Sequence, residues 1–322
     1  MSPIFNLVTT ALELGLMSSI TVLALFLSYT MLNICDLSTD GCFTLGAAVG
    51  AVVAISGHPF LSIPAAMLAC MISGFVTSFL QTKMGIDSLL AGIIVNTGLY
   101  SVNIAIMGNS SLLSMNKSET VFTIVKAWLA RTPLEPYSKL IVIAVFVLIV
   151  ILFLVVFLRT RTGLAIRATG DNPTMVSASS INPAKTTTIG LIISGGLTGL
   201  SGCLLAQSQK SVNIDIGSGM VTIALASLLI GRLFSKRGPI AWKASAAVIG
   251  SFLFRLIYTI ALRFNMPAFM LKLVSSVIVI IAISGTYFKD RLPIVIRRIK
   301  CRSDRLPTEE KENAGGDSNA DA

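Results

Sequence analysis

Long apolar stretches separated by short polar ones dominate the chain. They cover residues 5–31, 42–56, 60–80, 88–107, 140–158, 186–206, 221–233, 241–261 and 266–287. A helix needs about 20 mostly apolar residues to cross a bilayer, so the pattern predicts about nine crossings, the second and seventh being short. Lipid offers a backbone no hydrogen-bond partners, and the stretches lack the two-residue alternation of barrel strands. The predicted fold is therefore all-α, a polytopic transmembrane helical bundle. The first stretch has no basic segment ahead of it and is too long for a signal-peptide core, so it is expected to be a true span.

Composition supports the same class. Hydrophobic residues make up 54% of the 322 and charged residues 12%, against roughly a quarter charged in a soluble domain. The net charge of +10 does not call for nucleic acid, because the basic residues follow the spans. Arg159, Arg161, Arg167 and Lys185 come after the fifth, Arg232, Lys236 and Arg237 after the seventh, and a run from Lys289 to Arg305 after the last. With nine crossings these three groups fall on one side, which the positive-inside rule makes the cytoplasm. The N-terminus is then outside, the C-terminus cytoplasmic and the long loop 108–139 external, with Lys117, Lys126 and Arg131 running against the rule. Residues 1–300 are expected to form one membrane domain. The polar stretch 301–322 is expected to be a disordered cytoplasmic tail.

Catalytic chemistry has little to work with. His58 is the one histidine, no G-x-x-x-x-G-K-[ST] occurs, and the five cysteines lack CxxC spacing, so a His-based metal site, a triad and an ATP-hydrolysing loop are not expected. The glycine run from Gly195 to Gly202, like Gly46 and Gly50, sits inside an apolar stretch and reads as close helix packing. Ionisable residues in or near the bilayer each need a reason. Asp36 and Asp40, with Ser38 between them and Thr44 beyond, lie in a polar break before the second span. The break either opens a helix toward a cavity or forms a turn, with Asp40 offsetting the dipole at a helix start. Glu13 and Arg255 either pair across the bundle or lie near an interface. Asn96, Thr97, Tyr100 and Asn103 recur through the fourth span near helical spacing, forming a polar face that lines a translocation path or bonds a neighbouring helix. In the loop 159–185, Asp171-Asn-Pro reads as a helix start and Asn182-Pro as its end. The short polar helix between them suits the membrane surface or docking on a soluble subunit.

That loop carries a resemblance. Gly163-Leu-Ala-Ile-Arg-Ala-Thr-Gly-Asp-Asn-Pro is similar to the cytoplasmic coupling segment of ATP-binding-cassette import permeases of the branched-chain amino acid and ribose superfamily. Asp36-Leu-Ser-Thr-Asp-Gly-Cys-Phe-Thr-Leu-Gly-Ala-Ala and Lys83-Met-Gly-Ile-Asp-Ser-Leu-Leu-Ala-Gly-Ile-Ile match as well. So do Leu99-Tyr-Ser-Val-Asn-Ile-Ala-Ile-Met-Gly108 and stretches from Gly202 and Ile223. Together they resemble the branch that includes tryptophan and tyrosine uptake permeases. The resemblance implies a type II importer-like fold and a homodimer in the cell membrane of a prokaryote. It also implies a separate ATPase that uses the ATP, an extracytoplasmic binding protein, and no cofactor on this chain. Gly163, Arg167, Gly170, Asp171 and Asn172 would belong to the segment that meets the ATPase. The chain departs from the family pattern at Ser180, where a glycine is usual. An inverted repeat is a further hypothesis, from Asn33-Ile-Cys-Asp ahead of the second span and Asn213-Ile-Asp ahead of the seventh. The rivals are an ion-coupled secondary transporter using Asp36, Asp40 or Glu13, a membrane-embedded enzyme, and a receptor or scaffold.

Overall fold

The computed structural model describes residues 3–116, 118–129, 137–235 and 238–263, with 273, 276–281 and 284 beyond them. In these residues α1 (Pro3–Leu25) runs on into a wider π turn (Phe26–Met31) and is followed by α2 (Thr39–Ile55), α3 (Ser62–Thr82) and α4 (Ser88–Ile106). A three-residue strand β1 (Leu112–Ser114) and α5 (Val121–Leu129) lead to α6 (Ser138–Phe157). Two short helices, α7 (Arg161–Asp171) and α8 (Pro173–Ala178), precede the long α9 (Pro183–Gln209). Strand β2 (Ser211–Asn213) and a 3-10 turn (Ile214–Gly217) then lead into α10 (Met220–Phe234) and α11 (Ile240–Arg263).

Seven of these helical runs are long and apolar enough to cross a membrane, and α2 is a shorter apolar helix among them. The chain is thus a polytopic helical membrane bundle, and its helices coincide with the first eight expected spans. The ninth, 266–287, and the tail lie largely outside the described residues. The described part of the loop 108–139 carries a strand, since β1 pairs antiparallel with β2, Leu113 opposite Val212.

Helix α9 is the axis of the bundle. Its apolar window is 83% buried, and α3, α2 and α1 pack around it. The approach is set by glycine: a methyl group on Gly46 of α2 would come within 2.5 Å of Gly199 Cα, and one on Gly202 would run into the Phe43 carbonyl oxygen. Small residues let backbones meet where lipid provides no hydrophobic drive. Hydroxyls add cross-links at the same depth, Ser194 donating to the Ala24 carbonyl at 3.0 Å and Ser201 to that of Met17 at 2.8 Å.

At one end of the bundle α7 is clamped against its neighbours. A methyl on Gly163 would strike the Phe157 carbonyl oxygen at the end of α6, and one on Gly170 would strike that of Met31 in the π turn. Thr169 and Thr186 share a hydroxyl hydrogen bond of 2.8 Å that ties α7 to the start of α9. At the other end, some 40 Å away along α9, lie β1 and β2. Chain alternation between the two ends makes α2 and α10 run in opposite senses.

Candidate functional site

Asp40 lies in the first turn of α2, yet its carboxylate serves a different helix. It accepts from the backbone N–H of Gly219 at 3.0 Å and of Val221 at 2.8 Å, at the start of α10. That helix begins without a side-chain cap of its own, and a carboxylate satisfies both its unpaired N–H groups and the positive end of its dipole. Asp40 stands in the first turn of α2, where a helix start is expected, and in addition caps α10, which is distant in sequence and presents its uncapped end to it. The two short helices therefore begin at one point. This point is at mid-depth: a methyl on Gly41 would come within 2.6 Å of Asn96 Oδ1, and Cys42 Sγ lies 3.6 Å from the Gly195 carbonyl oxygen, both near the midpoints of their helices.

A cavity of about 420 Å³ opens beside this meeting point. Its wall comprises Asp40, Gly41 and Thr44 from α2, Asn96, Thr97, Tyr100, Ser101 and Asn103 from α4, and Ile214, Asp215 and Ser218 from the connector between β2 and α10. The structure thus gathers five of the expected path residues: Thr44, Asn96, Thr97, Tyr100 and Asn103. Asn103 is 1% exposed and donates from Nδ2 to the Gly41 carbonyl at 3.2 Å, so α4 also holds α2. Asp36 and Ser38 are not brought to the cavity wall. Asp36 is buried in a turn, accepting at Oδ1 from the backbone N–H of Ser38 at 2.9 Å and from its hydroxyl at 2.6 Å. The corresponding turn before α10 has the same form, Asn213 Oδ1 accepting from the Asp215 N–H at 3.2 Å.

At the end of the bundle that carries α7, the short helix α8 stands out from the surface with only Val176 buried. Asn172 caps it, accepting from the Met175 N–H at 3.1 Å and from the Thr174 hydroxyl at 2.6 Å. Met175 and Ile181 are exposed, and Arg167 is half-buried. Asn182-Pro, read as the end of this helix, is instead the start of the next: Asn182 accepts from the Ala184 N–H at 2.9 Å and Pro183 opens α9. Asparagine at the cap with proline at the first helical position is a start signal in both places. The helix itself ends at Ala178. Ser180, where the family pattern has glycine, takes φ of 63°, in the left-handed region that glycine enters without steric cost.

Residues 6–283 match the family described as "Branched-chain amino acid transport system / permease component". The chain belongs to that family. Among its relatives, a tyrosine transport system permease protein of Clostridioides difficile is 31% identical over 87% of this chain and 90% of its own length. An uncharacterised protein of Rickettsia prowazekii is also 31% identical, over 88% and 99% respectively. A putative glucose ABC transporter permease of Haloferax volcanii is 26% identical over 72% and 69%. No solved structure matches the chain. A permease of this family is the membrane component of a transporter and is not itself catalytic, which agrees with the lack of a nucleotide-binding loop.

Three polar residues of the permease cavity escape a sequence reading of the α4 face and the Asp36 break: Ser101, Asp215 and Ser218. Ser101 has a local signal, lying four residues after Thr97 on one helical face. Asp215 and Ser218 reach the site through the turn of the connector, and the Asn213-Ile-Asp resemblance to the break before α2 was their one trace. Arg255, the unexplained cation of α11, turns to α1, donating from Nε to the Ser18 hydroxyl at 3.3 Å and lying 5.7 Å over the Tyr258 ring.

Proposed function

We propose that this permease is the path-forming subunit of an ATP-driven importer, that two copies enclose the path between them, and that the cargo is an amino acid, with an aromatic one the first to test. The observation that carries the reading is the polar cavity at mid-depth, whose α4 wall turns Thr97, Tyr100 and Ser101 outward on the surface of an otherwise apolar bundle. A polar face in lipid is unfavourable, and a second copy across an aqueous path removes the conflict. The protruding α8 docks on a separate ATPase through Met175 and Ile181, with Gly163 and Gly170 seating α7 so that movement of α8 passes to the ends of α1 and α6. Arg167, Asp171 and Asn172 belong to that contact. ATP is spent in the ATPase, and this chain needs no cofactor. A binding protein delivers cargo at the end that carries β1, β2 and α5. This orientation puts α8 in the cytoplasm and the N-terminus outside, as the basic groups around residues 159–185 and 232–237 favour. The amino-acid cargo rests on the family description and on the tyrosine permease among its relatives.

The test is uptake of radiolabelled tyrosine and other amino acids into proteoliposomes holding this chain, its partner ATPase and its binding protein, with ion gradients collapsed. Uptake that needs all three and ATP is expected. Uptake by this chain alone under an ion gradient would replace the importer with a secondary transporter.

A further inference from the structure

A second cavity, of about 550 Å³, opens between α5, the start of α6 and the end of α9. Lys126, Lys139 and Lys210 line it, and no Asp or Glu among the described residues does. Its other polar groups are neutral hydroxyls and amides that both donate and accept, so formal charge decides its preference. Glu13 of α1 acts on Lys139 but stands outside the wall, and the balance stays positive. Helix α6 begins here without a side-chain cap, which adds the positive end of its dipole to the same field. Ser138 gives an independent sign of a ligand. It is 3% exposed and lines the cavity, and its hydroxyl has no hydrogen-bond partner among the described residues yet is not sealed from the cavity. A nearly buried hydroxyl left without a partner gains from a ligand that supplies one.

Depth identifies the ligand. Helix α6 has 20 residues, a rise of about 30 Å that matches the hydrocarbon core of a bilayer, and every side chain from Leu140 to Phe157 is apolar. Ser138 and Lys139 therefore stand at headgroup level, at the edge of the lipid-facing wall of α6. Trp128 of α5 is 85% exposed and suits the same level, where tryptophan is enriched. We propose that this cavity seats the phosphodiester of an anionic phospholipid, with Ser138 donating to a phosphate oxygen, the lysines supplying the counter-charge and the acyl chains lying along α6. A free phosphate offers the same anion without the chains. The site also gives a reason for Lys126, which runs against the positive-inside rule. The inference needs the membrane bundle only and is independent of the importer and its cargo.

Native mass spectrometry of the delipidated permease, without partner subunits, tests it through the affinity of the first bound lipid. Phosphatidylglycerol is expected to bind at least about fivefold more tightly than phosphatidylcholine, whose headgroup carries the same phosphate and a cancelling cation. Lys126→Gln, Lys139→Gln and Lys210→Gln together should remove most of that ratio. Ser138→Ala should weaken phosphatidylglycerol by at least about threefold, the loss of one hydrogen bond to a charged group. Arg159→Gln with Arg161→Gln, at the far end of the bundle, should keep the ratio. A wild-type Tm in each variant separates lost binding from lost folding, and the conservative Ser138→Ala stands alone if the lysine variant fails to fold. Glycerophosphoglycerol, the same headgroup without chains, should not displace the lipid. Equal binding of the two lipids, or the same loss from the arginine pair, would overturn the site. So would a ratio indifferent to the lysines, the result expected if they dock an acidic face of the binding protein instead. Displacement by glycerophosphoglycerol would overturn the lipid in favour of a soluble anion.

Discussion

Helices α4 and α6 leave similar shares of themselves uncovered, with 22% and 28% of their apolar windows buried, yet they present different chemistry. Beyond Lys139 at its start, the exposed face of α6 is aliphatic and aromatic: Val145, Leu148, Ile149, Leu152, Phe153 and Val156. That of α4 begins with Leu89, Leu90, Ile93 and Ile94 and then turns to Thr97, Tyr100 and Ser101 at the level of the cavity. Exposure in an isolated membrane chain thus has two meanings. An apolar face is complete in lipid, whereas a polar one is incomplete until water or another chain meets it. The contrast distinguishes a lipid wall from a path wall without reference to any relative.

The strongest break of this contrast is a charge on each face. Leu148→Lys should cost about 3 kcal/mol on insertion and remove most of the protein from the membrane fraction, whereas Ser101→Lys, facing the cavity, should reach the membrane near wild-type yield. Equal loss from the two would put both faces in lipid. A gentler comparison removes one polar group. Asn96→Leu should lower uptake about tenfold, the equivalent of one hydrogen bond of about 1.4 kcal/mol. Leu152→Ala on α6 should leave uptake within about twofold of wild type, as expected of an exposed position. The smallest effect concerns the two carboxylates of the cavity. Asp40→Ala should destabilise by about 1 kcal/mol through loss of the α10 cap, read as a lower Tm in detergent. Asp215→Asn should shift stability by less than about 0.5 kcal/mol, since that exposed side chain holds no partner among the described residues.

Much of this was legible along the chain, and the limits have physical causes. The spans follow from hydropathy because lipid requires apolar length, and the Gly195–Gly202 run was readable as close packing because only glycine permits it. The α4 face was visible as a helical repeat of Asn96, Tyr100 and Asn103. What escaped depends on distant pairs. Asp40 caps a helix that begins near residue 219, and nothing local distinguishes this from capping α2. Asn182-Pro gave the right signal with the wrong sense, since a start of α9 and an end of α8 adjoin within a few residues. Asp36 and Ser38 satisfy each other in a turn, an outcome that a polar break leaves open. Asp215 enters the cavity only because the connector from β2 folds back to Asp40.

The central claim is that the polar half of α4 faces an aqueous path and α6 faces lipid. Thiol accessibility tests it most directly: Thr97→Cys and Tyr100→Cys on α4, Leu148→Cys and Leu152→Cys on α6, each exposed to a hydrophilic thiol reagent in intact membranes. Labelling of the α4 pair at least about tenfold faster is predicted, since a charged reagent pays several kcal/mol to enter hydrocarbon; equal rates on the two helices would contradict the account.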